Sequence, residues 1–402
     1  MNNIKLDFPI LDKKIRDKAI TYLDSAASTQ KPKQVINSIS EFLENSYENV
    51  HRGMNSLSID ATDLYEKSRD VAKNFINSNS TNEIIFTRGA TDSINIIANS
   101  LAEHLKEDDK IVVTELEHHS NYLPWMNLCK KLGLELKIIP ISKDGILSED
   151  DIINNCDDST KVLSLTHMSN VTGQILDIKK IKKSINKDTY VAVDGCQSIA
   201  HLKIDVKDLD CDFYSFSSHK LYGPSGIGIM YGKEDILNKL NPPTLGGGMI
   251  NEVSSNDFSY AMLPNKFEPG TPSIEAAIGF KTAMEYLNNN NYQDYFLNEK
   301  KLRSTLIKAL REFKEVDIYG SNEDGNATSI VSFNIKNQNF NDIATFLDQY
   351  GIMIRGGHHC CQPFMKKLGI PGSCRVSFGI YNDLNDIDHF IDSLKKTLKL
   401  LQ

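Results

Sequence analysis

The sequence has no apolar stretch approaching membrane-spanning length, and Met1-Asn-Asn-Ile-Lys-Leu-Asp lacks the apolar core of a signal peptide. A cytoplasmic protein with no membrane partner is the expectation. Basic residues are not in surplus: 45 Lys and Arg against 53 Asp and Glu leave a formal net charge of −8. A nucleic-acid surface needs clustered positive charge on a basic domain, so no nucleic-acid partner is expected. The basic run Lys179-Lys180-Ile-Lys182-Lys183 has helical spacing and reads as a wet helix face. No Gly-x-x-x-x-Gly-Lys-Ser/Thr loop is present, which disfavours an ATPase. The chain also shows no internal repeat. Its seven cysteines (Cys129, Cys156, Cys196, Cys211, Cys360, Cys361 and Cys374) are an odd number without framework spacing. Reduced thiols in a reducing compartment follow.

What is present is the profile of an ordinary soluble protein, 40% hydrophobic and 24% charged, and 402 residues suggest two domains. Strand-like and helix-like segments alternate from about residue 80 to 240. Glu83–Thr87 precedes a helix near Thr91, and Lys110–Thr114 precedes a helix near Ser120. Strands over Leu134–Pro140, Lys161–Thr166, Tyr190–Asp194 and Cys211–Lys220 follow. Such alternation with near-continuous apolar strands predicts an α/β fold, a mainly parallel sheet covered by helices on both faces. Sites in such sheets form at the carboxyl ends of strands. Beyond about residue 288 the texture changes to a smaller α+β pattern. A long helix runs from the Asn288 cluster to Phe313, with strands at 316–319 and 328–335 and helices at 340–350 and from 384. Residues 249–265 read as a loop.

Two strand ends carry the chemistry. Cys211-Asp-Phe-Tyr-Ser-Phe-Ser-Ser-His-Lys220 delivers a lysine into the Gly-rich exit Leu-Tyr-Gly223-Pro-Ser-Gly226-Ile-Gly228, and Tyr190-Val-Ala-Val-Asp194-Gly-Cys-Gln197 delivers an aspartate. Pyridoxal phosphate (PLP) needs such a pair: an amine for the Schiff base and a carboxylate that keeps the pyridinium protonated. Thr87-Arg-Gly89-Ala90-Thr91 joins a strand to a helix, where backbone N–H groups can meet a phosphate; a plain helix cap is the alternative. Gly246-Gly-Gly248 and Gly270-Thr271 could also lend donors. Ser217 and His219 share a strand face by the period-two rule and could serve the same phosphate. An imidazole of Glu117-His118-His119 could lie over a flat ring, and Gln197 could reach a ring oxygen.

Sulfur chemistry is suggested by Gly351-Ile-Met-Ile-Arg355-Gly-Gly-His358-His359-Cys360-Cys361, where two imidazoles adjoin a thiol. Four consecutive residues do not readily wrap one tetrahedral ion, and Cys-x-x-Cys spacing is absent, so no metal is expected. Arg375, entering an apolar strand, fits either an ion pair or a carboxylate fork.

Taken together these blocks resemble the Suf-type, group II cysteine desulfurases among the fold-type I PLP enzymes of aminotransferase class V. The likeness runs through Leu23-Asp-Ser-Ala-Ala-Ser, Arg88-Gly-Ala-Thr, Glu-His118-His, Thr166-His-Met-Ser-Asn170, Val-Asp194-Gly-Cys-Gln197, Ser217-Ser-His219-Lys220, Phe267-Glu-Pro-Gly-Thr271-Pro, Arg355-Gly-Gly-His-His-Cys360 and Cys374-Arg375. It implies a large PLP-binding domain over 20–287, with a seven-stranded type of sheet. Residues 1–19 and 288–402 would form a smaller α+β domain carrying the thiol loop. By resemblance, Lys220 holds the cofactor, Asp194 pairs with its ring nitrogen, His118 stacks on the ring and Gln197 contacts its phenolic oxygen. Ala90, Thr91, Ser217 and His219 hold the phosphate, Thr271 reaching in from a second subunit of a homodimer. Asn170 and Arg375 bind the substrate carboxylate, with Arg355 near the loop, and Cys360 is the nucleophile.

The resemblance further implies L-cysteine as substrate, L-alanine as product, and a persulfide on Cys360. The persulfide would pass to a Suf-pathway sulfur acceptor for iron–sulfur cluster assembly. Selenocysteine lyase or cysteine sulfinate desulfinase activity is the neighbouring alternative, and a non-catalytic metal-binding scaffold the distant one. Cys361 departs from the small residue usual after the nucleophile; a persulfide acceptor or an off-pathway disulfide partner are the roles open to it. Cys196 stands where alanine is common and is expected only to pack.

Overall fold

Near-continuous runs of Val, Ile, Leu and Phe have their lowest free energy as strands buried on both faces. The computed structural model, which describes residues 4–290, 292–320 and 326–401, gathers seven of them into one sheet. These are β1 (Ile84–Thr87), β2 (Lys110–Thr114), β3 (Glu135–Ile139), β4 (Thr160–Thr166), β5 (Tyr190–Asp194), β6 (Phe213–Ser217) and β7 (Gly228–Gly232), in the order β1-β7-β6-β5-β4-β2-β3. The strands β2 to β6 pair in parallel, and β7 runs antiparallel between β1 and β6. Strands β1, β6 and β7 are buried throughout, whereas the edge strand β3, with Glu135 and Lys137, is mostly open. The expected α/β architecture with a mainly parallel sheet is the one observed.

A second sheet contains β8 (Val316–Tyr319), β9 (Ile330–Ile335), β10 (Arg355–Gly357) and β11 (Ser373–Ser377), ordered β8-β9-β11-β10 and antiparallel throughout. Helices Tyr292–Leu310, Phe340–Asp348 and Leu384–Leu401 contribute Leu302, Leu306, Ile343, Phe390 and Leu394 to its core. An early strand, Thr21–Tyr22, pairs with Ile352–Met353. Leu23 joins the same core. The chain thus enters beside the small sheet before building the large one.

Three expectations change. Residues 249–265 contain an antiparallel hairpin, Ile250–Val253 with Phe258–Tyr260, not a featureless loop. Its residues are mostly exposed, so no hydrophobic alternation announces it. The helix expected from the Asn288 cluster to Phe313 is Tyr292–Leu310, and a helix that was not foreseen, Ile274–Asn289, precedes it. And β6 ends at Ser217; Ser218–Lys220 form a 3₁₀ turn, so Ser217 and His219 do not share a strand face.

Candidate active site

The carboxyl ends of β1, β2, β4, β5 and β6 open towards one cavity of about 200 Å³. Its wall includes Ala90, Thr91, His118, Asn170, Asp194, Ser217, His219, Lys220, Arg355, Cys360 and Arg375. Eleven of the thirteen site residues expected from the sequence therefore meet. Gln197 and Thr271 do not line this cavity. Gln197 is buried and its Nε2 donates to the Ala26 carbonyl at 2.9 Å. Thr271 is exposed and lines a separate depression with His51, Arg52, Gly247, Gly248 and Gly270.

At the floor, Asp194 ends β5 buried, and its Oδ1 accepts the Cys196 N–H at 2.9 Å. His118 caps the helix His119–Leu132, its Nδ1 accepting the Ser120 N–H at 3.1 Å. An acceptor nitrogen carries no proton, so the ring's proton sits on Nε2. Burial, then the Lys220 charge, lowers the His118 pKa to about 3 and keeps the ring neutral. His219 is likewise lowered to about 4, by burial first and then by Lys220 and Lys31.

One end of the cavity suits an anion. Gly89 precedes the helix Ala90–Leu101 with φ +146°, a conformation only glycine adopts readily, and a Cβ there would lie 3.2 Å from Ser217 Oγ. The close approach lets the Ala90 N–H donate to Ser217 Oγ at 2.8 Å. Thr91 and Ser120 hydroxyls meet at 2.7 Å, bringing two helix starts together.

The other end suits a carboxylate. Arg375 is buried; Nη1 donates to the Asn170 carbonyl at 3.0 Å and Nη2 to Asp24 Oδ1 at 2.9 Å. Its Nε is buried without a partner, a donor left for an incoming anion. Sequence reasoning set an ion pair against a substrate fork. The structure contains the ion pair and leaves Nε without a partner. Asn170 spends its Nδ2 on the His359 carbonyl at 2.7 Å, tying the thiol loop to the same corner.

The loop itself is strained. His359 and Cys360 take φ values of 51° and 52°, consecutive left-handed residues without glycine. Cys360 is half-buried in the cavity wall, whereas Cys361 is fully buried with its Sγ 3.7 Å from the Glu115 carbonyl. Burial, then Glu117, pushes the Cys361 thiol far above its usual value. The four side chains of the His-His-Cys-Cys run diverge: His358 is exposed, and buried His359 bonds Ser373 Oγ at 3.0 Å through Nε2. Among the described residues no group of three or more His, Cys, Asp or Glu side chains converges as a metal site. Cys196 packs 3.9 Å from Ser217 Oγ, and its thiol is pushed up to about 12 by burial. Ser120, Asp24 and Glu117 were not foreseen as site components. Their only sequence signal was adjacency to recognised motifs.

The donor set fits PLP: an amine, a buried carboxylate, a neutral imidazole, two helix starts round a glycine cradle and an unpartnered guanidinium Nε. The aminotransferase class-V family matches residues 21–390. A probable cysteine desulfurase of Staphylococcus epidermidis is 44% identical over 97% of this chain and 95% of its own length. One from Staphylococcus aureus is 42% identical over 99% and 96%. Among solved structures, the apo cysteine desulfurase of Thermococcus onnurineus superposes with a TM-score of 0.94 at 36% identity, covering 99% of this chain and 98% of that one. The Escherichia coli cysteine desulfurase CsdA gives 0.91 at 32%, covering 100% and 99%. With a family match over most of its length and full-length relatives above 40% identity, the chain belongs to the aminotransferase class-V family.

Proposed function

We propose that the protein is a PLP-dependent cysteine desulfurase, turning L-cysteine into L-alanine and retaining the sulfur as a persulfide on Cys360. The observation that carries this reading is that Lys220, Asp194, His118, Arg375 and Cys360, from five separate segments, line one cavity. PLP, when bound, supplies the electron sink for charge developing at the substrate Cα. Lys220 would anchor the cofactor and, as a free amine, take the Cα proton. Asp194 would hold the ring-nitrogen proton and His118 would stack on the ring; Gln197, whose Nε2 donates to the Ala26 carbonyl here, would contact the phenolic oxygen. Ala90, Thr91, Ser217 and His219 would hold the cofactor's phosphate. Arg375 and Asn170 orient the substrate carboxylate, with Arg355 at the cavity mouth.

Cys360, as thiolate, attacks the substrate Sγ. The S–S bond forms as the Cβ–Sγ bond breaks, and the electron pair of the broken bond stays with carbon. Protonation of Cβ, with His118 Nε2 placed to exchange the proton, completes the methyl group of alanine. The balance is one cysteine and one enzyme thiol in, one alanine and one enzyme persulfide out. Splitting the cleavage this way follows the general logic of covalent catalysis.

A sulfur-acceptor protein of the Suf type, feeding iron–sulfur cluster assembly, would collect the persulfide. Thr271 lies exposed outside its own chain's cavity, so its proposed contact with the phosphate calls for a second copy, hence a homodimer. The seven free thiols suit a reducing cytoplasm. Among the described residues no helix is long and apolar enough to cross a membrane. A large domain over 20–287 and a smaller one from 1–19 and 288–402 are supported by the small sheet's own core, although Leu23 joins that core and Phe8, Phe364 and Tyr381 pack with the large sheet.

Lys220→Ala should abolish both the visible absorbance of bound PLP and alanine formation. Cys360→Ser should keep the absorbance and lose sulfur release from cysteine. Parental sulfide release by Cys360→Ser would remove Cys360 from its role.

A further inference from the structure

The left-handed pair His359-Cys360 needs something to hold it, and two histidines outside the proposed chemistry touch its backbone. The Cys360 N–H donates to His358 Nδ1 at 3.1 Å, and the Gln362 N–H donates to His119 Nε2 at 3.3 Å. His119 acts twice, because its own N–H donates to the Cys360 carbonyl at 2.7 Å. That N–H belongs to the first residue of a helix and has no partner within it. The two rings face each other with centroids 5.7 Å apart and a 33° tilt. The Cys361 N–H closes the turn on the His358 carbonyl at 2.9 Å.

We propose that His119 and His358 are positioning residues that clasp Cys360 from both sides of its peptide. Its two ring contacts hold only while each ring offers an unprotonated nitrogen to the backbone, whereas the His119 N–H bond to the Cys360 carbonyl persists. The inference rests on the reading of Cys360 as the sulfur-accepting thiol. A backbone N–H can only donate, so the accepting nitrogens, Nδ1 of His358 and Nε2 of His119, are bare. Protonating either ring converts that acceptor into a donor facing a donor, and protonating both sets two cations side by side.

The clasp should therefore loosen as pH falls. Burial and the neighbouring His358 both lower the pKa of His119, which favours the bare state near neutrality. The other titratable or charged groups around the clasp are His118 on the helix side, His359, Arg355 and Arg375 on the small-sheet side, and Glu115 and Glu117 before the helix. Of these, His118 and His359 are held neutral by burial. The two arginines oppose protonation of the rings and Glu115 favours it. Glu117, buried, keeps its own proton near neutrality, burial raising its carboxyl to about 8.

Variants separate acceptor from charge. His358→Asn and His119→Gln put an amide oxygen near the accepting ring nitrogen without a titrating group; His358→Ala and His119→Ala remove the acceptor. The PLP-loaded enzyme is followed by hydrogen–deuterium exchange of the peptide spanning 355–364 and by alanine-formation kinetics from acid to alkaline pH. Each alanine variant should speed exchange there roughly two- to tenfold, the range for one lost hydrogen bond. It should also lower kcat with little change in the KM for cysteine. The Asn and Gln variants should restore slow exchange and kcat, and flatten the acid limb of the exchange profile. Wild-type exchange and kcat in both alanine variants would overturn the clasp, as would Asn and Gln variants indistinguishable from alanine. If the wild-type enzyme makes no alanine from cysteine, the desulfurase reading fails, while the exchange data still judge the clasp.

Discussion

Glu117 sits wholly buried beneath the cavity, between the ends of two strands. Its Oε1 accepts from Thr114 Oγ1 at 2.7 Å and from the Thr166 N–H at 3.1 Å, and its Oε2 from Asn121 Nδ2 at 2.6 Å. Burial pushes its carboxyl from 4.5 up to about 8, the three donors pulling only part of the way back. The folded protein therefore binds this proton more tightly than the unfolded chain does. Its contribution to stability is full below about pH 4.5 and fades as pH rises towards about 8. We predict that the stability difference between wild type and Glu117→Gln, measured by denaturant unfolding, shifts by a few kcal/mol in favour of the variant across that window. One pKa unit is worth about 1.4 kcal/mol. A difference constant with pH would contradict the assignment. Nothing in Glu117-His118-His119 marks the first residue as buried, because its three partners lie on other strands or a turn away. Asp24 was hidden for the same reason: it meets Arg375 from 351 positions away. Lys220 and Asp194 were legible because each stands at or just beyond the end of an apolar strand, where an α/β sheet places its site.

The junction of β1 with the helix Ala90–Leu101 shows how one element end builds a subsite. Glycine at position 89 permits both the φ of +146° and the contact with Ser217. Gly89→Ala should lose about 1–3 kcal/mol of stability through backbone strain. It should also release PLP faster, read by thermal unfolding and by loss of absorbance on dilution. An alanine variant equal to wild type in both would refute the cradle. Strands β1 to β5 were legible within a residue or two because their apolar runs are unbroken, as Ile111, Val112 and Val113 in β2 illustrate, whereas the glycine-bearing β7 and β10 were not foreseen. The hairpin at Ile250–Val253 and Phe258–Tyr260 was not, since exposed Val253 and Phe258 carry no burial pattern. Nor was the turn after β6, where Ser218-His219-Lys220 leaves the strand two residues before the lysine and voids the period-two pairing of Ser217 with His219.

For the whole molecule, the sequence resemblance pointed to a second subunit, and the exposed position of Thr271 makes that testable. Lys220→Ala and Thr271→Ala homodimers should each be impaired. A mixed dimer would carry one site with both defects and one with neither, so the isolated mixed dimer should recover activity towards half that of wild type. No recovery after verified subunit exchange would place Thr271 on its own chain's site or on none. In the thiol doublet the resemblance selected Cys360, although both cysteines follow the same two histidines. Packing separates them, leaving Cys360 in the cavity wall and Cys361 in the core. The most direct test of the account is one turnover of the PLP-loaded protein with L-cysteine, followed by fragment-ion mass spectrometry of the peptide holding both thiols. The account predicts one added sulfur on Cys360 for each alanine released; sulfur on Cys361, or alanine released with neither thiol modified and no acceptor present, would contradict it.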